Sequence, residues 1–256
     1  MLLVEVAGAR NLPINIFMKD FRLRILMEDM NGQQSLWRLD LKPRRIHFFE
    51  TESPVSLRDL LLGSAKIGPR EKRELGLICA YSLLLFHDSP WLSKGWDKTN
   101  LSFFYKLDNE PDFLRPYLST RFEVPTREVG QIGSGVFHHN SHILALAILL
   151  IEIFNEKPIE IWRNAQERTT ITASTEPNIN LKAASRVVKK MDQPPYRSAI
   201  EACLDLDWLP EGRKVTLEDV EVRSGLYSNV IQPLEKELGY ISQTLPSVEP
   251  WNSCVD

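Results

Sequence analysis

The sequence predicts an α+β fold in which a small antiparallel sheet precedes a mainly helical region. Before residue 55 the apolar residues alternate with polar ones, whereas after Pro54 they recur every three or four positions. The chain has 256 residues, of which 43% are hydrophobic and 25% charged, enough to bury a sizeable core. We therefore divide it into a sheet region over residues 1–54, a helical region over residues 55–240 and an extended tail over residues 241–256.

The sheet region contains a predicted hairpin. Residues 21–27 alternate apolar and basic side chains, as a strand with one buried face requires. Asn31 and Gly32 form a typical hairpin turn, and residues 35–41 resume the alternation. Residues 45–49, after Pro43, are a candidate third strand.

The helical region begins with two capped segments. Ser56 is a typical cap for a short helix that reaches Leu62, and Pro69 opens a longer helix that runs to about His87. The remaining predicted elements are a strand at residues 101–105, a long loop at 106–139, and helices at 140–155, 158–170, 180–191, 195–205 and 222–239.

Composition excludes several classes of protein. The formal net charge of −3 gives no basic footprint, so we expect no nucleic-acid partner. The three cysteines are too scattered for a disulfide framework, which favours a reducing, cytoplasmic compartment. The strongest apolar stretch, residues 143–154, includes Glu152 and is shorter than the roughly 20 residues of a membrane span. We therefore expect a soluble, cytoplasmic protein without a membrane span.

The order of segments resembles the protein-kinase fold, chiefly its helical lobe. Residues 83–92, followed by 96–103, stand where kinases place the end of a long helix, the catalytic loop and the next strand. Residues 140–153 look like the central kinase helix, and Cys203 with Leu204 resembles the end of a late kinase helix. The resemblance implies a kinase-like fold with a truncated sheet.

A closer resemblance covers residues 20–240. The sequence is similar to a fungal domain of unknown function that often accompanies prion-inhibition-and-propagation (HeLo-type) domains. The blocks that carry this resemblance are Leu36-Trp37, Val55-Ser56-Leu57, His87-Pro90-Trp91-Leu92, Trp96-Lys98-Asn100-Leu101, Pro116-Tyr117-Leu118-Ser119, Ile148 to Glu152 and Ile231-Gln232-Pro233-Leu234-Glu235. It implies a protein partner or a companion HeLo-type domain. The chain is then a stand-alone version or a fragment of a longer protein, and its oligomeric state is not predicted.

The residues that kinases need for catalysis are not preserved. Phosphoryl transfer in kinases needs an aspartate followed five residues later by a metal-binding asparagine, and an Asp-Phe-Gly motif. Aligning Asn100 with the asparagine puts Gly95 at the aspartate position, whereas aligning Asp97 with the aspartate puts Ser102 at the asparagine position. In the candidate Asp112-Phe113-Leu114 motif the glycine is replaced by leucine.

The leading hypothesis is thus a catalytically inactive, kinase-like interaction or regulatory module without a cofactor. The alternative is an atypical nucleotide-binding phosphotransferase, with Mg-ATP as cofactor and Asp97, Asn100 and Asp112 in a rearranged site. The candidate residues of the degenerate site are Asp97, Lys98, Asn100 and Asp112. The candidates for an interaction surface or pocket are Trp91, Trp96 and Tyr117, of which we expect the two tryptophans to fill the volume that substrate occupies in an active kinase.

Three other patterns point to ordinary structure. The glycine-rich residues 130–137 come after the catalytic-loop segment and lack the lysine of a phosphate-binding loop, so we interpret them as a linker. His138, His139 and His142 are candidate zinc ligands, but no further ligand is evident nearby. We place His138 and His139 in an exposed turn before a helix that Asn140 or Ser141 caps. We expect Cys79 and Cys203 in the core and Cys254 in the tail.

Overall fold

The computed structural model describes residues 23–28, 34–39, 53–63, 66–87, 96–106, 109–118, 138–209 and 216–244. Within these ranges three short strands come first, two helices and two further strands follow, and the rest is mainly helical. The strands are β1 (Leu23–Glu28), β2 (Gln34–Leu39), β3 (Val55–Ser56), β4 (Leu101–Phe103) and β5 (Tyr117–Leu118). The helices are α1 (Leu57–Leu62), α2 (Pro69–Phe86), α3 (Ser141–Asn155), α4 (Ala165–Thr169), α5 (Glu176–Val188), α6 (Pro194–Asp205), α7 (Val220–Leu226) and α8 (Gln232–Thr244).

The strands form two antiparallel sheets. β1 and β2 pair as a hairpin in which Leu23 lies opposite Leu39, as the alternation predicts. In the second sheet β4 lies between β3 and β5, and its residue Ser102 pairs with both neighbours. The predicted third strand at residues 45–49 lies outside the described residues.

Helix α3 forms the centre of the core. Asn140 caps it by accepting hydrogen bonds from the backbone N–H groups of His142 and Ile143, as the sequence predicts. Nearly every face of α3 is apolar, and it packs against α2, α5 and α6. Its fully buried side chains include Ile143, Leu146, Leu149, Leu150, Ile151 and Ile153.

A glycine in α2 makes room for an aromatic side chain of α6. A Cβ atom on Gly76 of α2 would lie 2.8 Å from the hydroxyl oxygen of Tyr196. Tyr196 is fully buried, and its hydroxyl donates a 3.2 Å hydrogen bond to the carbonyl oxygen of Leu150 in α3. Gly76 therefore leaves the space in which one aromatic side chain joins three helices.

The last helices are continuous but locally widened. Residues Tyr227–Ile231, between α7 and α8, form a π-helical turn, in which the N–H of Gln232 donates to the carbonyl of Tyr227. Pro233 follows at once; it has no N–H, and its ring clashes with the carbonyl one turn earlier in a regular α-helix. The wider turn removes that conflict, which explains its position.

The predicted fold class is confirmed: the protein is α+β, with small antiparallel sheets before a mostly helical region. Two helix predictions need correction. The single helix expected at 158–170 is divided into a 3₁₀ turn, Ile159–Trp162, and helix α4, because Asn164 caps α4 together with Glu167. The helix expected at 180–191 is α5, which starts earlier, with Pro177 in its first turn.

The long loop and the last helix also differ from expectation. The loop predicted at 106–139 contains β5, and the helix predicted at 222–239 extends from α7 through α8. None of the helices in the described ranges is both long and apolar enough to cross a bilayer. The division into regions 1–54, 55–240 and 241–256 and the kinase-like arrangement stay predictions.

Candidate functional site

Residues 96–100, the described part of the segment that resembles a catalytic loop, form a tight turn before β4. The side-chain Oδ1 of Asp97 accepts hydrogen bonds from the backbone N–H of Thr99 at 2.7 Å and from its hydroxyl at 2.5 Å. The backbone carbonyl of Asp97 accepts from the N–H groups of Asn100 and Leu101, both at 3.2 Å. Asp97 is exposed, but its carboxylate holds its own turn together.

Lys98 points from this turn into the helical core. Its ammonium nitrogen lies 2.7 Å from Oε1 of Glu152 in α3 and 2.9 Å from Oε1 of Glu160 in the 3₁₀ turn. The same Oε1 of Glu152 accepts a 2.8 Å hydrogen bond from the backbone N–H of Ile159. We call Lys98, Glu152 and Glu160 the lysine clasp.

The clasp is buried to different depths. The side chain of Glu152 is 1% exposed and that of Lys98 is 12% exposed, whereas Glu160 is 42% exposed. The turn is also fastened by its backbone, because the N–H of Arg58 in α1 donates to the carbonyl of Lys98 at 3.0 Å. Lys98 therefore joins the end of the small sheet to the central helix.

Burial and charge pairing have opposing effects on the pKa values in the clasp. Burial disfavours the charged form of Lys98, but the charges and hydrogen bonds of Glu152 and Glu160 outweigh it and raise the lysine pKa. Burial raises the pKa of Glu152, opposed by Lys98 and by the N–H of Ile159. Burial also acts to raise the pKa of Glu160, but its bonds to Lys98 hold that pKa below its usual value.

The clasp continues through Glu160 to a second group of charges. The guanidinium of Arg163 lies 3.8 Å from Oε1 of Glu160 and 2.7 Å from Oε1 of Glu176, and it also donates to Oδ1 of Asn180. Among the described residues, Oε2 of Glu160 is buried and has no hydrogen-bond donor. The network thus links β4, α3 and α5 through side chains that alternate in charge.

Asp112 lies at the opposite end of β4 from Asn100. Its backbone N–H donates to the carbonyl of Phe104 at 2.8 Å, and Phe104 is four residue steps of extended chain from Asn100, about 13 Å. The carboxylate of Asp112 accepts from the N–H of Leu114 and lies 3.7 Å from Nε of Arg115. Asp112 therefore belongs to its own turn, apart from the turn of Asp97.

The aromatic candidates are core residues where the structure describes them. Trp96, two residues before Lys98, is buried, and Tyr117 is buried in β5 with its ring against that of Phe104, at 4.6 Å between centroids. Burial and the charge of Asp112 raise the pKa of Tyr117, against the opposing effect of Arg115. Trp91, the glycine-rich residues 130–137 and Cys254 lie outside the described residues.

The histidine prediction is wrong for His138, which is not in an exposed turn. It is 6% exposed, and its Nε2 donates to the carbonyl of Cys203 at 2.8 Å while its Nδ1 accepts from the N–H of Asn140 at 3.2 Å. The ring fastens the start of α3 to the end of α6. Burial lowers the pKa of His138. Within the described ranges no three His, Cys, Asp or Glu side chains are grouped so that they could hold a metal ion.

Cys79 and Cys203 are core residues, as predicted. Both are buried, and burial raises the pKa of the Cys79 thiol to about 12 and that of Cys203 still further. Both sulfurs are therefore neutral thiols at physiological pH, with little of the thiolate that nucleophilic catalysis requires.

Sequence reasoning missed a buried arginine. Arg73 of α2 is 6% exposed; its guanidinium donates to the carbonyl of Pro69 at 2.7 Å and to the side chain of Gln193, and it lies 3.3 Å from Oε1 of Glu237 in α8. It also stands 5.7 Å from the ring centroid of Phe154. Arg73 and Glu237 are 164 positions apart, so they form no local sequence pattern, and only the packing of α2 against α8 reveals the ion pair.

Sequence reasoning also missed a groove at the ends of α3 and α5. It has a volume of about 490 Å³ and is lined by Phe154, Asn155, Trp162, Arg186, Val187, Lys190, Met191, Asp192 and Gln193. The sequence feature that could have revealed this groove is the spacing of the basic residues in α5 and just after it, which places them on one helix face.

Comparisons with known proteins identify a family but no activity. No curated protein matches the sequence, and no solved structure matches the fold. The family model described as "Domain of unknown function (DUF7580)" matches residues 19–241, which is most of the chain. The chain therefore belongs to the DUF7580 family.

Proposed function

We propose that this chain is a catalytically inactive, kinase-like interaction module that works by binding another protein or domain. The observation that carries the proposal is the lysine clasp. In the segment that resembles a catalytic loop, Lys98 is bound to Glu152 and Glu160, so its charge is neutralised by the protein itself. An ammonium used in this way is not available to a nucleotide phosphate.

The acidic candidates support the same proposal. A kinase needs one carboxylate to accept the proton of the substrate hydroxyl and another to bind Mg²⁺ close by. The carboxylate of Asp97 is hydrogen-bonded to Thr99, and that of Asp112 belongs to a turn at the far end of β4. These positions favour a structural role for the segment around Asp97 and Lys98 over a catalytic one.

The partner that we propose is a companion HeLo-type domain of fungal cell-death or prion-like signalling, in the cytoplasm. This part of the proposal depends on the resemblance of the sequence blocks between residues 20 and 240. No cofactor is needed for such a role. The alternative, an Mg-ATP-dependent phosphotransferase, needs Asp97, Asn100 and Asp112 to act together.

Direct binding tests the proposal. The purified chain is titrated with a purified HeLo-type domain in a calorimeter, and the mixture is then measured by light scattering. We expect a saturable complex of defined stoichiometry whose affinity is unchanged in Asp97→Ala and Asp112→Ala variants, because neither carboxylate has a catalytic role. A mixture that stays as two separate species at high micromolar concentration would refute the HeLo-type partner.

A further inference from the structure

The groove at the ends of α3 and α5 has the size of a ligand site. Its volume of about 490 Å³ falls within the roughly 300–1,000 Å³ that is usual for such sites. Its apolar lining comes from Phe154, Trp162, Val187 and Met191. The partly exposed rings of Phe154 and Trp162 offer most of the contact to one large apolar group, because Val187 and Met191 are themselves largely buried.

The border of this groove is basic. In the second half of α5 and just beyond it, every exposed residue between 181 and 190 is a lysine or an arginine, whereas Ala183, Ala184, Val187 and Val188 are buried. The exposed residues, which we call the basic stripe, are Lys182, Arg186, Lys189 and Lys190. Their spacing puts them on one side of the helix. Arg186 and Lys190 also line the groove.

Carboxylates also lie near this stripe. Glu167 binds the guanidinium of Arg186 at 2.6 and 2.8 Å and interacts with Lys182, Asp192 lines the groove, and Lys189 interacts with Asp205, which has Asp207 and Glu201 beside it. Within the described residues, no side-chain ion pair involves Lys189 or Lys190. Lys182, Lys189 and Lys190 therefore present ammonium groups that no carboxylate of the described residues binds directly, in a chain whose net charge is −3.

We propose that the groove and the basic stripe bind an acidic peptide segment of a partner protein, with one aromatic or large aliphatic side chain in the groove. This inference rests on the proposed function of the chain as an interaction module. The anchor would be buried against Phe154, Trp162 and Met191, and its acidic neighbours would lie along Lys182, Lys189 and Lys190. Apolar burial supplies affinity, while charge complementarity selects the partner and speeds association.

Selection from a random-peptide display library on the immobilised full chain tests the proposal. We expect the enriched peptides to combine several Asp or Glu residues with one Trp, Phe or Leu. The synthesised peptides should bind at least about tenfold more weakly to Lys189→Glu/Lys190→Glu, since this change reverses two charges of the basic stripe. Lys236→Glu, at an exposed position of α8, is the matched control and should bind normally.

Several outcomes would overturn the inference. They are the absence of enrichment over an unrelated control protein, enriched peptides without an acidic excess, and equal binding by Lys189→Glu/Lys190→Glu. If a peptide whose apolar anchor is replaced by serine binds as tightly as the original peptide, the groove does not contribute to binding. Three other results would assign the surface to another occupant. They are self-association of the chain that Lys189→Glu/Lys190→Glu abolishes, binding of a synthetic 245–256 peptide in place of acidic peptides, and binding of phosphatidylserine vesicles in their place. If only the HeLo-type domain binds, by another surface, this inference fails while the proposed function stands.

Discussion

The ammonium nitrogen of Lys98 lies 2.7 Å from Oε1 of Glu152, a carboxylate that is almost completely buried in the central helix. The two residues are 54 positions apart in sequence, and their contact fastens the turn before β4 to α3. A buried carboxylate without a partner is strongly destabilising, so this ion pair is a structural requirement once Glu152 is in the core.

Removal of the lysine charge should therefore destabilise the fold. We expect Lys98→Met to lower the free energy of unfolding by about 3–5 kcal/mol, because it leaves the carboxylate of Glu152 without a cation. The loss should be smaller at pH 5 than at pH 8, since without Lys98 the pKa of Glu152 is higher still in the folded state and protonation removes the buried charge. Urea denaturation at both pH values measures the difference.

Two controls accompany this variant. Lys98→Met/Glu152→Gln should be more stable than Lys98→Met alone, because the amide oxygen of glutamine still accepts from Ile159 while no charge is buried. Arg70→Ala breaks a more exposed pair with Glu74 and should cost about 1 kcal/mol or less. Equal losses in the single and double variants would show that the clasp does not stabilise the fold through its charges.

Two glycines in the last helices should respond in opposite ways to alanine. A Cβ atom on Gly225 would lie 2.3 Å from Cε3 of Trp208, whose ring is held by a 2.7 Å hydrogen bond from its Nε1 to the carbonyl of Ala202. Gly225→Ala should therefore destabilise the protein by about 1–3 kcal/mol despite the higher helix propensity of alanine.

Gly239→Ala is the matched control for this change. Apart from the backbone of its own helix and its chain neighbours, no atom of the described residues lies within 4 Å of the added Cβ, so the substitution should stabilise α8 by about 0.5–1 kcal/mol. Thermal unfolding of both variants compares the two effects. A stabilised Gly225→Ala variant would mean that Trp208 does not pack on this helix as described.

Acid should weaken the fold through His138. Burial lowers its pKa in the folded state below the unfolded value of about 6.5, so the unfolded chain binds the proton more readily. The stability from neutral His138 is complete above pH 6.5 and is lost as the pH falls from there through the folded pKa. Protonation would also put a hydrogen on Nδ1, which faces the N–H of Asn140.

Stability curves from pH 7.5 to 5 test this assignment. His138→Gln should show a smaller loss of stability over that range than the wild-type protein. Part of the loss should remain, because burial and the nearby His87 also lower the pKa of His142. The charges of His139 and Asp205 also affect the pKa of His138, in opposite directions. The free energy of unfolding is therefore compared between variant and wild type at each pH. Parallel curves for the two proteins would exclude His138 as a titrating group.

Local patterns predicted much of the fold, because capping and periodicity are local. Ser56, Pro69 and Asn140 stand at the helix starts that the sequence predicts, and alternation places the hairpin. The break at Asn164 was missed although the two residues of its capping box, Asn164 and Glu167, are visible in the sequence.

The candidate site was predicted less completely. The sequence identified Lys98 but not its partners, since Glu152 lies in an apolar run where a charge looks like an interruption. The position of Asp112 relative to Asn100 depends on strand pairing between distant residues, which no local pattern specifies.

Thermal unfolding with and without Mg-ATP, from micromolar to millimolar nucleotide, tests the central claim most directly. If the segment around Lys98 is structural, the unfolding temperature should not change at millimolar Mg-ATP. A ligand at about one hundred times its dissociation constant stabilises a fold by roughly 2.7 kcal/mol, which is about 5–10 °C for a domain of this size. A magnesium-dependent shift of that order, abolished in Asp97→Ala or Asp112→Ala, would contradict the account and indicate a nucleotide-binding enzyme.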